Sequence, residues 1–205
     1  MNAPLSRRAL LGVSAAALAV AGCAAPNQAT QSAPTSDSAP SEPAGEQSAP
    51  QAAGPSFDLA ARTVQLNDGR TMPILGIGTF RLSSNRAARS VEAALDAGYR
   101  LIDTARIYGN EDGVGRGMTA SGVDREEIFL TTQLWTDDFG RVAAAIDRSL
   151  TLLGVDYLDL LLLHHTAPQD EDAYRAMQDA VGKGTVRSIG LSNFYADDVD
   201  RIMRF

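Results

Sequence analysis

The hydrophobic positions of this 205-residue chain divide it into three parts. Residues 1–23 contain one short apolar run, and residues 24–55 contain no Leu, Ile, Val, Met or aromatic residue. From residue 56 onward, apolar positions recur with the spacings of helices and strands. A buried core, and with it the function, is therefore expected in residues 56–205.

Strand patterns and helix patterns alternate through the third part. Two short strands around Asn67, Asp68 and Gly69 predict a β-hairpin, because these residues favour a tight turn. Strand-helix pairs follow the hairpin. The predicted strands are "LGIGTF", "YRLIDTA", "EIFLTTQLW", "YLDLLLLHH" and "VRSIGLSNF". The predicted helices are "NRAARSVEAALDAGY", "EDGVGRGMTASG", "RVAAAIDRSLTLLG", "DEDAYRAMQDAVGKG" and "ADDVDRIMRF".

This alternation predicts an α/β fold with a parallel sheet and helical crossovers. The strands are apolar along most of their length, as is typical of parallel strands covered on both faces. Open doubly wound sheets and closed barrels share this pattern. Gly115, Gly117 and Ala120 match a dinucleotide-binding loop by letter, but they lie inside a predicted helix, well past the end of its strand. A barrel is therefore favoured, with functional residues at the carboxyl ends of its strands.

Composition excludes several classes of function. The formal net charge of −7 argues against a nucleic-acid-binding protein, which normally presents a basic surface. The single cysteine, Cys23, rules out an intramolecular disulfide. The only histidines are His164 and His165, and no carboxylates at suitable spacing accompany them, so no metal site is expected.

The first part predicts a targeting segment rather than a folded one. Arg7 and Arg8 precede an Ala-rich run that is too short for a comfortable membrane span, which is typical of a signal peptide. "SRRALL" resembles a twin-arginine export signal, and "VAGC" resembles a lipoprotein box. These resemblances imply an exported protein, lipid-anchored through Cys23 on the extracytoplasmic face of the cell membrane. A plain secretory signal with an incidental cysteine is the alternative. Residues 24–55 are then a disordered Pro/Ala/Ser-rich linker.

Residues with reactive side chains follow the ends of the predicted strands. Asp103 and Tyr108 follow one strand, Gln133 lies near the end of the next, His164 ends another, and Ser192 and Asn193 follow the last. In order and spacing, these strand ends resemble the aldo-keto reductase superfamily from about Thr63 to Phe205. The most specific stretches are "GYRLIDTARIYGNEDGVG" and "VRSIGLSNF".

The resemblance implies a (β/α)8 barrel that reduces aldehydes and ketones with NADPH. It assigns Tyr108 as the proton donor, Asp103 as the carboxylate that pairs with a lysine, and His164 as the residue that orients the carbonyl. The physical logic is that a phenol with a pKa near about 10 is a weak acid at neutral pH, and a nearby cation can lower this pKa.

The resemblance also implies a nicotinamide site. Ser192 and Asn193 would hold the carboxamide, and Thr79 and Phe80 would line the nicotinamide end of the pocket, beside Asp103. Structural alternatives remain for each of these residues. Asp103 could cap the following turn, Tyr108 and His164 could be packing residues, and Ser192 and Asn193 could cap the next helix.

Two features depart from the family pattern. Gln133 stands where typical members have lysine, and an amide can donate a hydrogen bond but cannot lower the pKa of Tyr108 as an ammonium does. Residues 63–205 also supply five strand-helix units, whereas the family barrel has eight. We therefore expect a C-terminally truncated barrel with NADP(H) binding weakened or lost. A non-catalytic exported lipoprotein that binds a ligand or partner at the barrel rim, and a non-functional fragment, are the alternatives.

The lipoprotein box generates the first testable prediction. Because Cys23 is the only cysteine, wild-type protein is expected to incorporate radiolabelled palmitate in a bacterial host, and Cys23→Ala is expected to incorporate none. Labelling is read from the immunoprecipitated protein. Equal labelling of the two proteins would exclude a lipid anchor at this residue.

Overall fold

A computed structural model describes residues 56–204. The predicted signal peptide, Cys23, the predicted linker and Phe205 lie outside the described residues. Within the described range, no helix has the length and apolar character needed to cross a membrane. Nor does any group of three or more His, Cys, Asp or Glu side chains there have the arrangement of a metal site.

The described residues form an α/β fold built on two sheets. The strands are β1 (Phe57–Asp58), β2 (Thr63–Gln65), β3 (Thr71–Pro73), β4 (Gly76–Gly78), β5 (Leu101–Asp103), β6 (Phe129–Leu134), β7 (Leu158–Leu163) and β8 (Val186–Leu191). The helices are α1 (Ser84–Asp96), α2 (Glu111–Ser121), α3 (Val142–Leu153), α4 (Asp170–Gly182) and α5 (Ala196–Ile202). The predicted alternation of strand and helix is thereby confirmed.

The smaller sheet is antiparallel. Strands β2 and β3 pair around the turn at residues 66–70, where the sequence predicts a reversal. Strand β1, which the sequence analysis did not predict, pairs with β2 on its other side. With two exposed residues, β1 has no hydrophobic alternation for a sequence pattern to detect.

The larger sheet is parallel, and its strand order β4-β5-β6-β7-β8 follows the chain order. Parallel pairing places the carboxyl ends of these strands at one edge of the sheet. Strand β6 is buried along its whole length, as expected for a strand covered on both faces. The register between β5 and β6 pairs Asp103 with Thr131. Gln133 lies two positions after Thr131 on β6, so the side chains of Asp103 and Gln133 point to the same face of the sheet.

Helices α1 to α4 pack with this sheet in one hydrophobic core. The core joins strand residues to helix residues, among them Ile102, Leu130, Leu161, Val91, Val114, Ile146 and Met177. The helices carry apolar residues at intervals of three and four positions, and burial of these residues stabilises the helices against the sheet.

The glycines of α2 allow close packing between helices. A Cβ atom on Gly117 would lie 2.5 Å from the carbonyl oxygen of Ala88 in α1, and one on Gly115 would lie 2.5 Å from that of Leu153 in α3. Gly113 approaches the backbone of Ser84 in the same way. The stretch that resembles a dinucleotide-binding loop by letter is therefore a packing surface inside a helix.

This packing predicts the effect of adding one methyl group. Gly117→Ala should destabilise the protein by about 1–3 kcal/mol, because the new Cβ forces α1 and α2 apart. Gly182→Ala is the control, since a Cβ at that helical glycine meets no atom within 4 Å. Urea denaturation followed by circular dichroism measures both. The same midpoint for Gly117→Ala and the wild type would contradict this account of the packing.

Candidate active site

The site begins with a hydrogen bond between two strand ends. The Nε2 group of Gln133 donates to Asp103 Oδ1 at 3.0 Å and lies 3.3 Å from Oδ2. The register of β5 and β6 makes this contact possible, because it places both side chains on one face. The amide therefore occupies the place beside Asp103 that the family resemblance gives to a lysine.

Without a cation beside it, Asp103 is difficult to ionise. Burial raises the pKa of Asp103 from 3.8 to about 6, although the hydrogen bond from Gln133 opposes the shift. The Oε1 atom of Gln133 is also buried and has no hydrogen-bond partner among the described residues. A protonated Asp103 can donate to an amide oxygen, whereas an ionised one cannot.

Tyr108 lies on a short 3-10 turn, Arg106–Tyr108, that follows β5. The turn ends at Gly109, whose φ of 64° favours glycine. The Tyr108 ring contacts Phe80 at 5.0 Å and His164 at 5.8 Å between ring centroids. Burial raises the pKa of the Tyr108 phenol, and the negative charge of Asp103 raises it further. The phenol is therefore a weaker acid here than in water.

His164 follows β7 and is nearly buried. Its backbone N–H donates to the carbonyl of Leu134 at 3.0 Å, which continues the β6–β7 pairing. Burial lowers the pKa of His164, and electrostatic repulsion from the neighbouring His165 lowers it further. The imidazole is thus neutral at neutral pH, and its Nδ1 atom is buried without a hydrogen-bond partner among the described residues.

Trp135 and His165 enlarge the aromatic surface around His164. The His164 and His165 rings stack at 5.2 Å with an interplanar angle of 11°. The Trp135 ring meets both of them edge-on, at 5.2 Å from each. Sequence reasoning gave neither residue a role in the site, although both lie directly beyond strand ends in "TTQLW" and "LLLLHH".

Ser192 and Asn193 lie beside this aromatic group. The Ser192 N–H donates to the carbonyl of Leu163 at 2.8 Å. Asn193 has a φ of 57°, and its Nδ2 group donates to the carbonyl of His164 at 2.7 Å and to Ser192 Oγ at 3.0 Å. An asparagine tolerates this left-handed conformation better than most residues.

Two structural alternatives from the sequence analysis are wrong. Helix α5 has Tyr195 at its N-cap position, with no side-chain hydrogen bond there, so neither Ser192 nor Asn193 caps it. The 3-10 turn after β5 has Ala105 at the corresponding position, so Asp103 does not cap that turn. Asp103 bonds to Gln133 instead.

Thr79 and Phe80 differ in their surroundings. Thr79 is fully buried, and its hydroxyl donates to Thr104 at 2.8 Å. Asn110 fixes this segment by donating from Nδ2 to the carbonyls of Thr79 and Leu82, both at 2.9 Å. Phe80 is 61% exposed and contacts Tyr108. Sequence reasoning assigned no role to Asn110, although it lies in the family-like stretch "IYGNE".

The fold and the site define an α/β protein with titratable and aromatic side chains gathered at the carboxyl ends of parallel strands. The chain belongs to the aldo/keto reductase family, whose model matches residues 74–204.

Named relatives support the same assignment. An aldo-keto reductase of Mycobacterium tuberculosis is 48% identical over 155 residues, which cover 73% of this chain and 55% of that protein. One of Mycolicibacterium smegmatis is 48% identical over 149 residues, which cover 70% of this chain and 53% of the relative. The chain thus spans about half the length of these relatives.

Solved structures show the same likeness in three dimensions. An aldo/keto reductase from Brucella melitensis matches with a TM-score of 0.68 and 46% identity, covering 69% of this chain and 57% of that one. An aldo-keto reductase from Bombyx mori, solved in complex with NADP, matches with a TM-score of 0.65 and 42% identity. That match covers 70% of this chain and 54% of the other.

The raised pKa of Asp103 predicts how stability depends on pH. The folded protein keeps a proton on Asp103 between pH 3.8 and about 6, where the unfolded chain has lost it. Stability therefore falls as pH rises through this window, by about 3 kcal/mol in total. Asp103→Asn removes this cost and should be more stable than the wild type at pH 7.5, with the difference shrinking towards pH 4.

Thermal melts of both proteins across this pH range test the prediction. Asp112→Asn is the control, because the hydroxyl of Ser84 and the side chain of Arg116 lower the pKa of Asp112. Its substitution should lose stability at pH 7.5 rather than gain it. If Asp103→Asn has the same advantage at every pH, the carboxyl does not titrate in this window.

Proposed function

We propose that this chain is an NADPH-dependent oxidoreductase of the aldo-keto reductase type that reduces aldehydes or ketones to alcohols at a low rate. The main support is the arrangement of Asp103, Tyr108, Gln133 and His164 around one end of the parallel sheet. The family assignment and the NADP complex of the Bombyx mori relative support the reaction and the cofactor. We also infer that the strand-helix units belong to a (β/α)8 barrel.

The proposed roles follow from the chemistry of each side chain. NADPH, when bound, supplies the hydride that adds to the carbonyl carbon. Tyr108 gives its phenolic proton to the carbonyl oxygen as the carbon–oxygen double bond becomes a single bond, and solvent returns a proton to the phenolate. Neutral His164 orients the carbonyl by donating an N–H hydrogen bond. Burial, and to a lesser extent electrostatic repulsion from His165, favour this neutral form by lowering the pKa of His164.

The polar groups after β8 fit a carboxamide. The Ser192 hydroxyl lies 3.0 Å from Asn193 Nδ2, so one short segment presents both a hydroxyl and an amide. The bond from Asn193 to the carbonyl of His164 fixes this segment beside the site. Ser192 and Asn193 would hold the nicotinamide end of the cofactor, with Phe80 and Tyr108 nearby. Thr79 would support Phe80 through the backbone of its buried segment.

Gln133 accounts for the low rate. An ammonium near Tyr108 would lower the pKa of the phenol by about 1–3 units, which corresponds to about 10- to 10³-fold in rate if the whole shift appears in the barrier. The neutral amide provides no such shift, and burial together with Asp103 raises the pKa of Tyr108. Proton donation is therefore the step that this site supports least.

A binding role without catalysis is the second candidate. Gln133 and the raised pKa of Tyr108 favour it, because both weaken the proton donor while leaving the aromatic side chains and the Ser192–Asn193 segment in place. In this role, the exported and lipid-anchored protein proposed from the N-terminal sequence would bind a small molecule or a partner at the strand ends.

The central test is Gln133→Lys. The new ammonium pairs with Asp103 and lowers the pKa of Tyr108, so turnover of an aldehyde panel should rise by about 10- to 10³-fold. NADPH oxidation followed by absorbance measures it. Gln178→Lys adds the same charge on the exposed surface of α4 and should leave turnover unchanged.

Calorimetry with NADP(H) separates the two candidates. Binding by both the wild type and Gln133→Lys, with slow turnover in the wild type and faster turnover in the variant, supports an impaired reductase. Binding by both with no turnover in either favours the binding role and rejects the catalytic one. An absence of both NADP(H) binding and turnover rejects the reductase and a nucleotide-binding role, and it leaves only binding of a different small molecule or of a partner.

A further inference from the structure

The segment that carries Tyr108 is tied to β6 and the turn beyond it by two buried contacts. Arg106, before Tyr108, donates from Nε to Asp138 Oδ2 at 2.7 Å and from Nη2 to Oδ1 at 3.0 Å. Glu111, after Tyr108, accepts a hydrogen bond from the hydroxyl of Thr132 at 2.8 Å. Tyr108 therefore lies on a short stretch of chain that is anchored on both sides.

Asp138, the partner of Arg106, also contacts the turn that carries Trp135. Asp138 lies on the 3-10 helix Thr136–Arg141, directly after β6, and its backbone N–H donates to the carbonyl of Trp135 at 2.9 Å. The Trp135 ring meets His164 edge-on. One carboxylate thus connects the segment that carries Tyr108 with the turn that carries Trp135.

The geometry of the Arg106–Asp138 ion pair suits it to hold two segments at a fixed distance and orientation. The planar guanidinium of Arg106 meets both oxygens of Asp138, which sets direction as well as distance. Both side chains are largely buried, with 16% and 4% of their areas exposed. Arg141 reaches Asp138 only at 3.8 Å from an exposed position, so it cannot replace Arg106 in this geometry.

We propose that Arg106 and Asp138 are positioning residues that set where the Tyr108 ring lies relative to His164 and Trp135. Neither residue touches the reacting atoms. The consequence for turnover rests on the proposed reductase function, whereas the geometric role does not. Displacement of a proton donor by about 1 Å can cost about 10²-fold in rate, so the ion pair sets kcat more than KM.

Arg106→Gln tests the proposal, with Arg125→Gln as a matched control. Arg125 makes an equally buried ion pair with Asp159 at 2.8 Å, but it lies before β6, at the opposite end of the strand from Asp138. Both variants lose a buried ion pair, and thermal melts establish their structural cost. Only Arg106→Gln should alter the site.

Two spectroscopic readouts need no turnover. Trp135 is the only tryptophan, so its emission and its quenching by acrylamide report on the turn held by Asp138. Ultraviolet difference titration of each variant against the same variant carrying Tyr108→Phe reports the pKa of the Tyr108 phenol, which keeps changes at Tyr157, beside Arg125, out of the signal. Arg106→Gln should shift both signals, Arg106→Lys should shift them less, and Arg125→Gln should leave both at wild-type values.

Activity is measured in the Gln133→Lys background, where turnover is expected to be highest. There, Arg106→Gln should lower kcat about 10- to 10²-fold, with KM changed less than about threefold. Unchanged Trp135 emission and an unchanged Tyr108 titration in Arg106→Gln would overturn the proposal, as would equal shifts in Arg125→Gln. If the background shows no turnover, the reductase assignment fails, and the spectra alone decide the role of the ion pair.

Discussion

The site depends on the parallel pairing of strands in chain order. This pairing brings residues that are far apart in sequence to one edge of the sheet, and the register fixes which of them share a face. Asp103 pairs with Thr131, so the side chain of Gln133 returns to the same face and reaches the carboxylate at 3.0 Å. A slip of one residue would move Gln133 to the opposite face and remove the contact.

Burial sets the electrostatics of the site. It raises the pKa of Asp103 to about 6 although the hydrogen bond from Gln133 opposes the shift, and burial together with the charge of Asp103 raises the pKa of Tyr108. The pKa of His164 is lowered by burial and by His165. All three shifts favour the neutral forms of these side chains.

The sequence predicted much of this arrangement. Periodicity located β4 to β8 and α1 to α5, and the residues predicted at the strand ends lie at one edge of the sheet. What it could not predict were contacts that depend on the relative placement of distant segments. The bonds from Asn110 to the carbonyls of Thr79 and Leu82 and the edge-on contacts of Trp135 with the two histidines are of this kind. The two-residue strand β1 is too short to carry a hydrophobic period.

The stretch "ARIYGNE" shows why a short motif can be so specific. Each of its polar residues contacts a different neighbour: Arg106 binds Asp138, Asn110 binds the segment after β4, and Glu111 binds Thr132. Tyr108, between them, makes ring contacts with Phe80 and His164. The residues around Tyr108 are therefore constrained by the segments they join. None of these contacts involves Gln133, so the placement of Tyr108 and the electrostatics beside Asp103 depend on different residues.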